Sequence, residues 1–234
     1  MGKQDYEAHQ FTLAVDCIIF GFSANELNIL LIHRGFAPEE GKWSLMGGFV
    51  NPDEDLDQAP VRILHELTGL NEIYLEQVTA FGKKHRDPGA RVISVAYSAL
   101  IRTEDYDIEL IKKHNAHWFP ISNYPDLIFD HKEMVQAAIS QIRVRARLRP
   151  IGFNLLTPKF TLPQLQSLYE SIYDHKLDDR NFRRRIQSLG ILQKLEEKFK
   201  GDSKKGAFLF KFDKEAYDRL LKESEEMTTL LTLF

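Results

Sequence analysis

Cysteine is nearly absent from this sequence. The 234 residues contain one, Cys17, which excludes an intrachain disulfide and any zinc site built on cysteines, and fits a reducing compartment. Its neighbours Val15, Ile18 and Ile19 are apolar and place it in a core. Long apolar runs are missing as well. No stretch approaches the roughly 18 residues of a membrane span, and the opening MGKQDYEAHQ is polar where a secretory signal would be apolar. A soluble, cytoplasmic chain with no membrane partner is expected. Low-complexity tracts are also lacking: with 43% hydrophobic and 28% charged residues, 9 Pro and 13 Gly, the composition excludes the disordered and fibrous classes. The histidines show no metal-ligand spacing, so neither a metal nor a cofactor is expected.

What is present is enough chain for two ordinary domains. The net charge of -3 conceals an asymmetry. Residues 1–150 carry 16 Lys/Arg against 21 Asp/Glu, whereas residues 151–234 carry 15 against 13. Between Lys176 and Lys205 there are 10 basic and 5 acidic residues, a local patch able to meet a phosphate backbone or to form a solvated helix face. A domain over 1–150 and a second over 151–234 are expected.

The first part reads as mixed α and β. Apolar runs at Phe11–Phe22, Leu27–His33, Ile73–Phe81 and Val92–Ile101 predict strands, bounded by turn signals such as Ser23-Ala24-Asn25 and Asp87-Pro88-Gly89. Helices are predicted from about Leu56 to Leu67, with Gly69 beyond, and from about His131 into Arg149, stopped by Pro150. That order suggests an antiparallel or mixed sheet flanked by helices.

After Pro150 the pattern changes. Thr161 with Gln164 makes a capping box and Pro163 sits in the first turn, so a helix starts there, with Leu162, Leu165, Leu168, Tyr169 and Ile172 facing inward. A short polar segment leads to a second helix from about Asp179, burying Phe182, Ile186 and Leu189 and ended by Gly190. Ile191–Phe199, a Gly/Lys/Ser turn and Ala207–Phe212 then read as a β-hairpin. Helix, turn, helix, hairpin is the order of a winged helix-turn-helix. The outward positions of its second helix are Arg180, Asn181, Arg183, Arg184 and Arg185, side chains that bond guanine or adenine edges and clamp phosphate, and Lys204 and Lys205 lie at the hairpin tip. Double-stranded DNA is the expected partner; a basic face of an accessory domain is the bland alternative.

The run Phe160-Thr161-Leu162-Pro163-Gln164-Leu165-Gln166-Ser167-Leu168-Tyr169-Glu170 followed by Asn181-Phe182-Arg183-Arg184-Arg185 resembles the C-terminal domain of the NrtR family of Nudix-related bacterial regulators. The first part agrees. Against the Nudix signature G-x5-E-x7-R-E-U-x-E-E-x-G-U, Gly48, Glu54, Arg62, Leu64, Glu66, Gly69 and Leu70 fall in register, behind Trp43-Ser44-Leu45-Met46-Gly47-Gly48-Phe49. Two of the clustered glutamates are replaced by Ile63 and Leu67. Positions three and four apart share one helix face, where hydrolases of this type hold Mg²⁺ against a pyrophosphate, and here Glu66 is the one carboxylate left. No catalytic residue is assigned and no enzyme activity expected. Pro60 is a further departure that could shift or kink the start of the helix.

The resemblance implies an α+β chain: a Nudix α/β/α sandwich with a mixed sheet plus a C-terminal winged helix-turn-helix. It also implies a homodimeric repressor on a palindromic operator, released by a small-molecule effector. Arg86, Asp87 and Arg91 resemble the ligand loop of ADP-ribose-directed Nudix proteins, and Asp130 with His131 a second motif of that group. For Arg86 and Asp87 the bland alternative is a surface turn with a local ion pair, and for His131 a helix N-terminal residue. Arg34, Lys42 and Glu66 complete the expected effector contacts. Relatives respond to ADP-ribose, whereas the arabinose-responsive AraR branch of Bacteroides-type bacteria resembles this chain; with the metal-binding glutamates gone, L-arabinose is favoured over ADP-ribose. The alternatives are a Mg-dependent ADP-ribose or nucleoside diphosphate pyrophosphatase with an accessory basic domain, and an RNA-binding module.

Overall fold

The computed structural model describes residues 10–69, 74–103, 108–200 and 206–226. It divides into two compact units, one of residues up to Phe20 with Asn28–Ala138, the other of Gly21–Leu27 with Ile139–Phe234. Among the described residues no helix is long and apolar enough to cross a membrane.

The first unit is built on β1 (Thr12–Ser23), whose residues from Ala14 to Phe22 are all buried. A strand covered on both faces explains why its sequence runs apolar instead of alternating. It joins β2 (Glu26–His33) through Ala24 and Asn25, both at positive φ as a two-residue hairpin turn requires. The seven-stranded sheet has the order β3-β2-β1-β6-β5, where β3 is Trp43–Ser44, β5 Leu75–Phe81 and β6 Val92–Ile101; β4 (Met46–Phe49) lies along β1 and β7 (Ala116–Pro120) along β2. The β1–β4 pairing is antiparallel and sets Val15 opposite Gly48 and Asp16 opposite Gly47. β3, β4, β7 and the six-residue α2 (Ile108–Lys113) went unpredicted, being too short to show a period.

Helix α1 (Gln58–Thr68) starts two residues later than its pattern suggests, so Pro60 falls in the first turn, where a missing N–H costs nothing. Gly69, at φ 75, ends it by donating its N–H to the His65 carbonyl. One face of α1 enters the core, with Ile63 and Ala59 packed among Val15, Val95 and Tyr97, and Leu64 in the adjoining cluster around Cys17 and Ile19. Leu70 and Ile73 lie outside the described residues. Helix α3 (His131–Leu148) stops ahead of Pro150 as expected.

In the second unit, β8 (Phe160–Thr161) leads into α4 (Leu162–Tyr173). The capping box is complete: the Gln164 N–H donates to Thr161 Oγ1 at 3.3 Å and the Thr161 N–H to Gln164 Oε1 at 2.8 Å. Leu165, Leu168, Tyr169 and Ile172 are buried, and the Tyr169 hydroxyl is tied to the Ile151 backbone. Helix α5 (Asp179–Ser188) buries Phe182 and Ile186 against them. Strands β9 (Leu192–Phe199) and β10 (Ala207–Phe212) pair antiparallel and form with β8 a three-stranded sheet, followed by α6 (Lys214–Glu226). This is the winged helix-turn-helix order, joined to a Nudix-type mixed α+β unit.

Candidate functional site

The surviving Nudix residues act as a clasp. Glu54 accepts from Arg62 Nε at 2.9 Å, from Arg62 Nη2 at 2.6 Å and from the Asn51 N–H at 2.7 Å, while Arg62 also donates to the Phe49 carbonyl. The Arg62 hydrogen bonds hold the Glu54 carboxyl down to about 2. Loop and helix are thereby locked together. The metal-binding face is another matter. Ile63 is core, Leu67 is half-buried against the same clusters, and Glu66 is exposed with Arg62 3.7 Å away. Magnesium prefers several oxygen ligands in an octahedron, and this face offers one carboxylate. The residues present do not fit a magnesium–pyrophosphate site.

Beside this face lies a pocket of about 500 Å³ whose floor is charged and buried. Asp16 projects from β1 and accepts at Oδ2 from the Ser94 hydroxyl at 2.6 Å. Arg86 donates to Asp130 from Nε at 3.1 and 3.0 Å and from Nη2 at 2.8 Å, and its Nη2 lies 3.6 Å from Asp16 Oδ2. His131, the first residue of α3, accepts the Leu45 N–H at Nδ1, 3.1 Å, so its proton resides on Nε2, 3.6 Å from Asp16 Oδ1. Burial pushes the His131 pKa below its ordinary value, and the imidazole is neutral at pH 7. Phe36 and Phe49 line the pocket and remain well exposed.

Of the expected effector contacts, Arg34, Arg86, Asp87 and His131 line this pocket, with Asp130 behind Arg86. Arg34 is partly committed to its own loop, donating to the Pro38 carbonyl at 2.7 Å and stacking on Phe36 at 3.9 Å. Arg86 pairs across the chain with Asp130; Asp87 instead closes its turn by accepting the Gly89 N–H. Lys42, Glu66 and Arg91 do not line the pocket. Lys42 pairs with Glu39 on the surface, the exposed Glu66 pairs with Arg62, and Arg91 donates to the Gly82 and Lys83 carbonyls. Asp16 and Ser94 were missed by sequence reasoning, although a lone acid inside the apolar run from Leu13 to Phe22 was the available signal.

The second constellation is the outer face of α5. Asp178 caps the helix by accepting the Asn181 N–H at 2.8 Å. With Phe182 and Ile186 inward, the 3.6-residue period puts Arg184 at the centre of the outward face with Arg180, Asn181, Gln187 and Ser188 around it. Arg184 Nη2 donates to Asn181 Oδ1 at 3.0 Å. Arg183 and Arg185 fall on the flanks. Arg183 pairs with Asp179 at 2.9 Å and, with Gln187, Lys194 and Phe208, lines a groove of about 470 Å³ between α5 and the hairpin. Lys194 and Lys198 stack on the Phe208 ring at 3.8 and 4.5 Å. Lys204 and Lys205 lie outside the described residues.

A Nudix-type pocket and a winged helix-turn-helix with a basic outer face define a DNA-binding regulator equipped with a small-molecule site. Comparison with known proteins agrees. The NUDIX domain profile matches residues 10–138 and the profile of the NrtR DNA-binding winged helix domain matches residues 152–212. The chain is 34% identical over 220 residues to the ADPR responsive transcriptional repressor NtrR of Acinetobacter baylyi, covering 92% of this chain and 87% of that one. It resembles Shewanella oneidensis NrtR solved with a 27mer DNA at 28% identity and TM-score 0.78, over 88% of this chain and 95% of that one. The NUDIX domain of the same Shewanella protein, solved with ADP ribose, matches at 29% identity and TM-score 0.52, over 61% of this chain and 99% of that one. The chain belongs to the NrtR family of transcriptional regulators.

Proposed function

We propose that this protein is a transcriptional repressor that binds a palindromic operator as a homodimer and releases it when a sugar-type effector occupies its Nudix-type pocket. It works in the cytoplasm, with an effector domain over residues 1–150 and a DNA-binding domain over 151–234. The observation that carries this reading is the pairing, in one chain, of a basic α5 face with a pocket beside a helix face whose metal-binding positions are the apolar Ile63 and Leu67. A site so altered binds without hydrolysing. A single α5 reads only a short half-site, which favours two copies on a palindrome. The effector must hold the DNA-free arrangement more tightly than the DNA-bound one, since only a difference in affinity shifts the equilibrium.

The effector we favour is L-arabinose. Three lining cations, Arg34, Arg86 and Lys113, face the carboxylates Asp16 and Asp87, with Asp130 paired to Arg86, so charges balance and a neutral sugar suits the pocket. ADP-ribose is the second reading. It is supported by what the Acinetobacter and Shewanella relatives respond to and bind, by a volume ample for a drug-sized ligand, and by the exposed Phe36 and Phe49, on which a purine would stack. Selecting the operator from randomised duplexes and then titrating the complex with each compound decides between them. Release by L-arabinose alone supports the first reading, and release by ADP-ribose alone supports the second. Hydrolysis of ADP-ribose with Mg²⁺ at ordinary enzymatic rates would overturn the regulator-only reading.

A further inference from the structure

The floor of the pocket contains a donor and an acceptor set slightly too far apart to satisfy each other. His131 Nε2 and Asp16 Oδ1 are 3.6 Å apart, beyond ordinary hydrogen-bond length, while the Ser94 hydroxyl donates to the other oxygen of that carboxylate. Both side chains are at least nine-tenths buried, and both line the pocket. Neither is free to move. His131 is fixed through Nδ1 by the Leu45 N–H, Asp16 through Oδ2 by the Ser94 hydroxyl, and Arg86 is anchored beside them by Asp130. Gly47 completes the floor. A Cβ there would stand 2.7 Å from the Val15 carbonyl oxygen and collide with the Asp16 carboxylate, so this carboxylate occupies space that only a glycine leaves open.

A hydroxyl is the group that bridges such a gap, because one oxygen both donates and accepts. An oxygen about 2.7 Å from the carboxylate and about 2.9 Å from the imidazole nitrogen makes two hydrogen bonds of ordinary length. An anion in that position would meet the Asp16 charge, and a cation would meet Arg86. Resting on the reading of this pocket as a sugar effector site, we propose that Asp16 and His131 form its anchor: one ring hydroxyl of a pentose donates to Asp16 Oδ1 and accepts from His131 Nε2–H. The pentose is either free or the terminal ribose of ADP-ribose; the anchor chemistry is the same.

Isothermal titration of the full-length chain with L-arabinose, ADP-ribose and ADP tests this. ADP retains the purine and diphosphate but has no terminal ribose, so where ADP-ribose is the ligand, ADP binds at least about 10-fold more weakly. Asp16→Asn removes the charge, and His131→Asn keeps an acceptor for the Leu45 N–H but removes the donor; in each, the sugar that binds wild type loses about 10- to 100-fold. Near-UV circular dichroism identifies the folded variants, and if one melts the other carries the comparison, while the ligand series on wild type needs neither. Affinity within about twofold of wild type in a folded variant, or ADP binding as tightly as ADP-ribose without any binding of L-arabinose, overturns the anchor alone. Wild-type protein that binds neither sugar overturns the anchor and the effector reading together.

Discussion

Arg86 and Asp130, 44 positions apart in the chain, form a buried bidentate ion pair in which three hydrogen bonds of 2.8 to 3.1 Å join a turn beside β6 to the residue that precedes α3. The pair sets the position of His131, the next residue, and keeps a cation near Asp16. Asp130→Ala leaves a buried guanidinium with only the more distant Asp16 carboxylate. Breaking a buried pair costs about 3–5 kcal/mol, and the lower end is expected here because Asp16 remains. In a chain of this length that lowers the melting temperature by on the order of 10 °C. Differential scanning calorimetry reads it directly, and adding Arg86→Met should restore much of the loss; a melting point unchanged by Asp130→Ala would remove the pair from any structural role.

The protonation of His131 gives stability a pH dependence. Burial lowers its folded-state pKa, an effect that nearby Arg86 and Arg34 reinforce and the carboxylates Asp16 and Asp130 oppose. In the unfolded chain the group has its ordinary value of about 6.5. Below that value the unfolded state takes up a proton that the folded state does not, so the unfolded state gains. The contribution is complete above about pH 6.5 and is lost as pH falls toward the folded-state pKa. Thermal melts between about pH 7.5 and about pH 5 should therefore fall more steeply in wild type than in His131→Asn, and identical slopes would exclude His131 as the titrating group.

How much of this was legible beforehand differs between the two units. The Thr161–Gln164 capping box, Gly69, Gly190 and the apolar stripe of α4 are local signals whose physics acts within four residues, and each marks its element closely. The basic outer face of α5 follows from the same periodicity, with Gln187 and Ser188 the outward residues overlooked and Arg183 and Arg185 on its flanks. The pocket is a different problem. Arg86 is marked as a ligand residue only by the family resemblance, and its polar neighbours leave a surface turn open as the alternative, because its partner is 44 positions away and no local pattern encodes that pairing. Asp16 was hidden by the opposite effect, one acid among nine consecutive buried positions. Ile63 and Leu67 were recognised as missing carboxylates, but only packing reveals that Ile63 has become core against Val15 and Val95.

Gly47 should be intolerant of any side chain. Its β4 backbone lies opposite Asp16 on β1, and a Cβ would stand 2.7 Å from the Val15 carbonyl while displacing the Asp16 carboxylate. Overpacking of this kind costs roughly 1–3 kcal/mol. Gly47→Ala is expected to lower the melting temperature modestly and to remove most of the effector response, because the moved carboxylate no longer faces His131 Nε2. Chemical denaturation together with effector titration checks both effects. A variant that keeps full effector affinity would show that the Asp16 orientation is dispensable.

Arg183 and Arg184, neighbours on α5, should separate into different roles. Arg184 stands at the middle of the outward face and is oriented by Asn181, whereas Arg183 sits on the flank beside Lys194 and the hairpin groove. A base-reading arginine is worth about 1–3 kcal/mol of discrimination, so Arg184→Ala should weaken operator binding and flatten the preference over scrambled duplex. An arginine that meets phosphate contributes to affinity on every sequence, so Arg183→Ala should weaken both duplexes alike and reduce the slope of log affinity against log salt by about 0.9. The double variant should retain only non-specific binding. Fluorescence anisotropy at several salt concentrations measures all three quantities, and unchanged operator affinity in the double variant would refute the assignment of α5 as the reading helix.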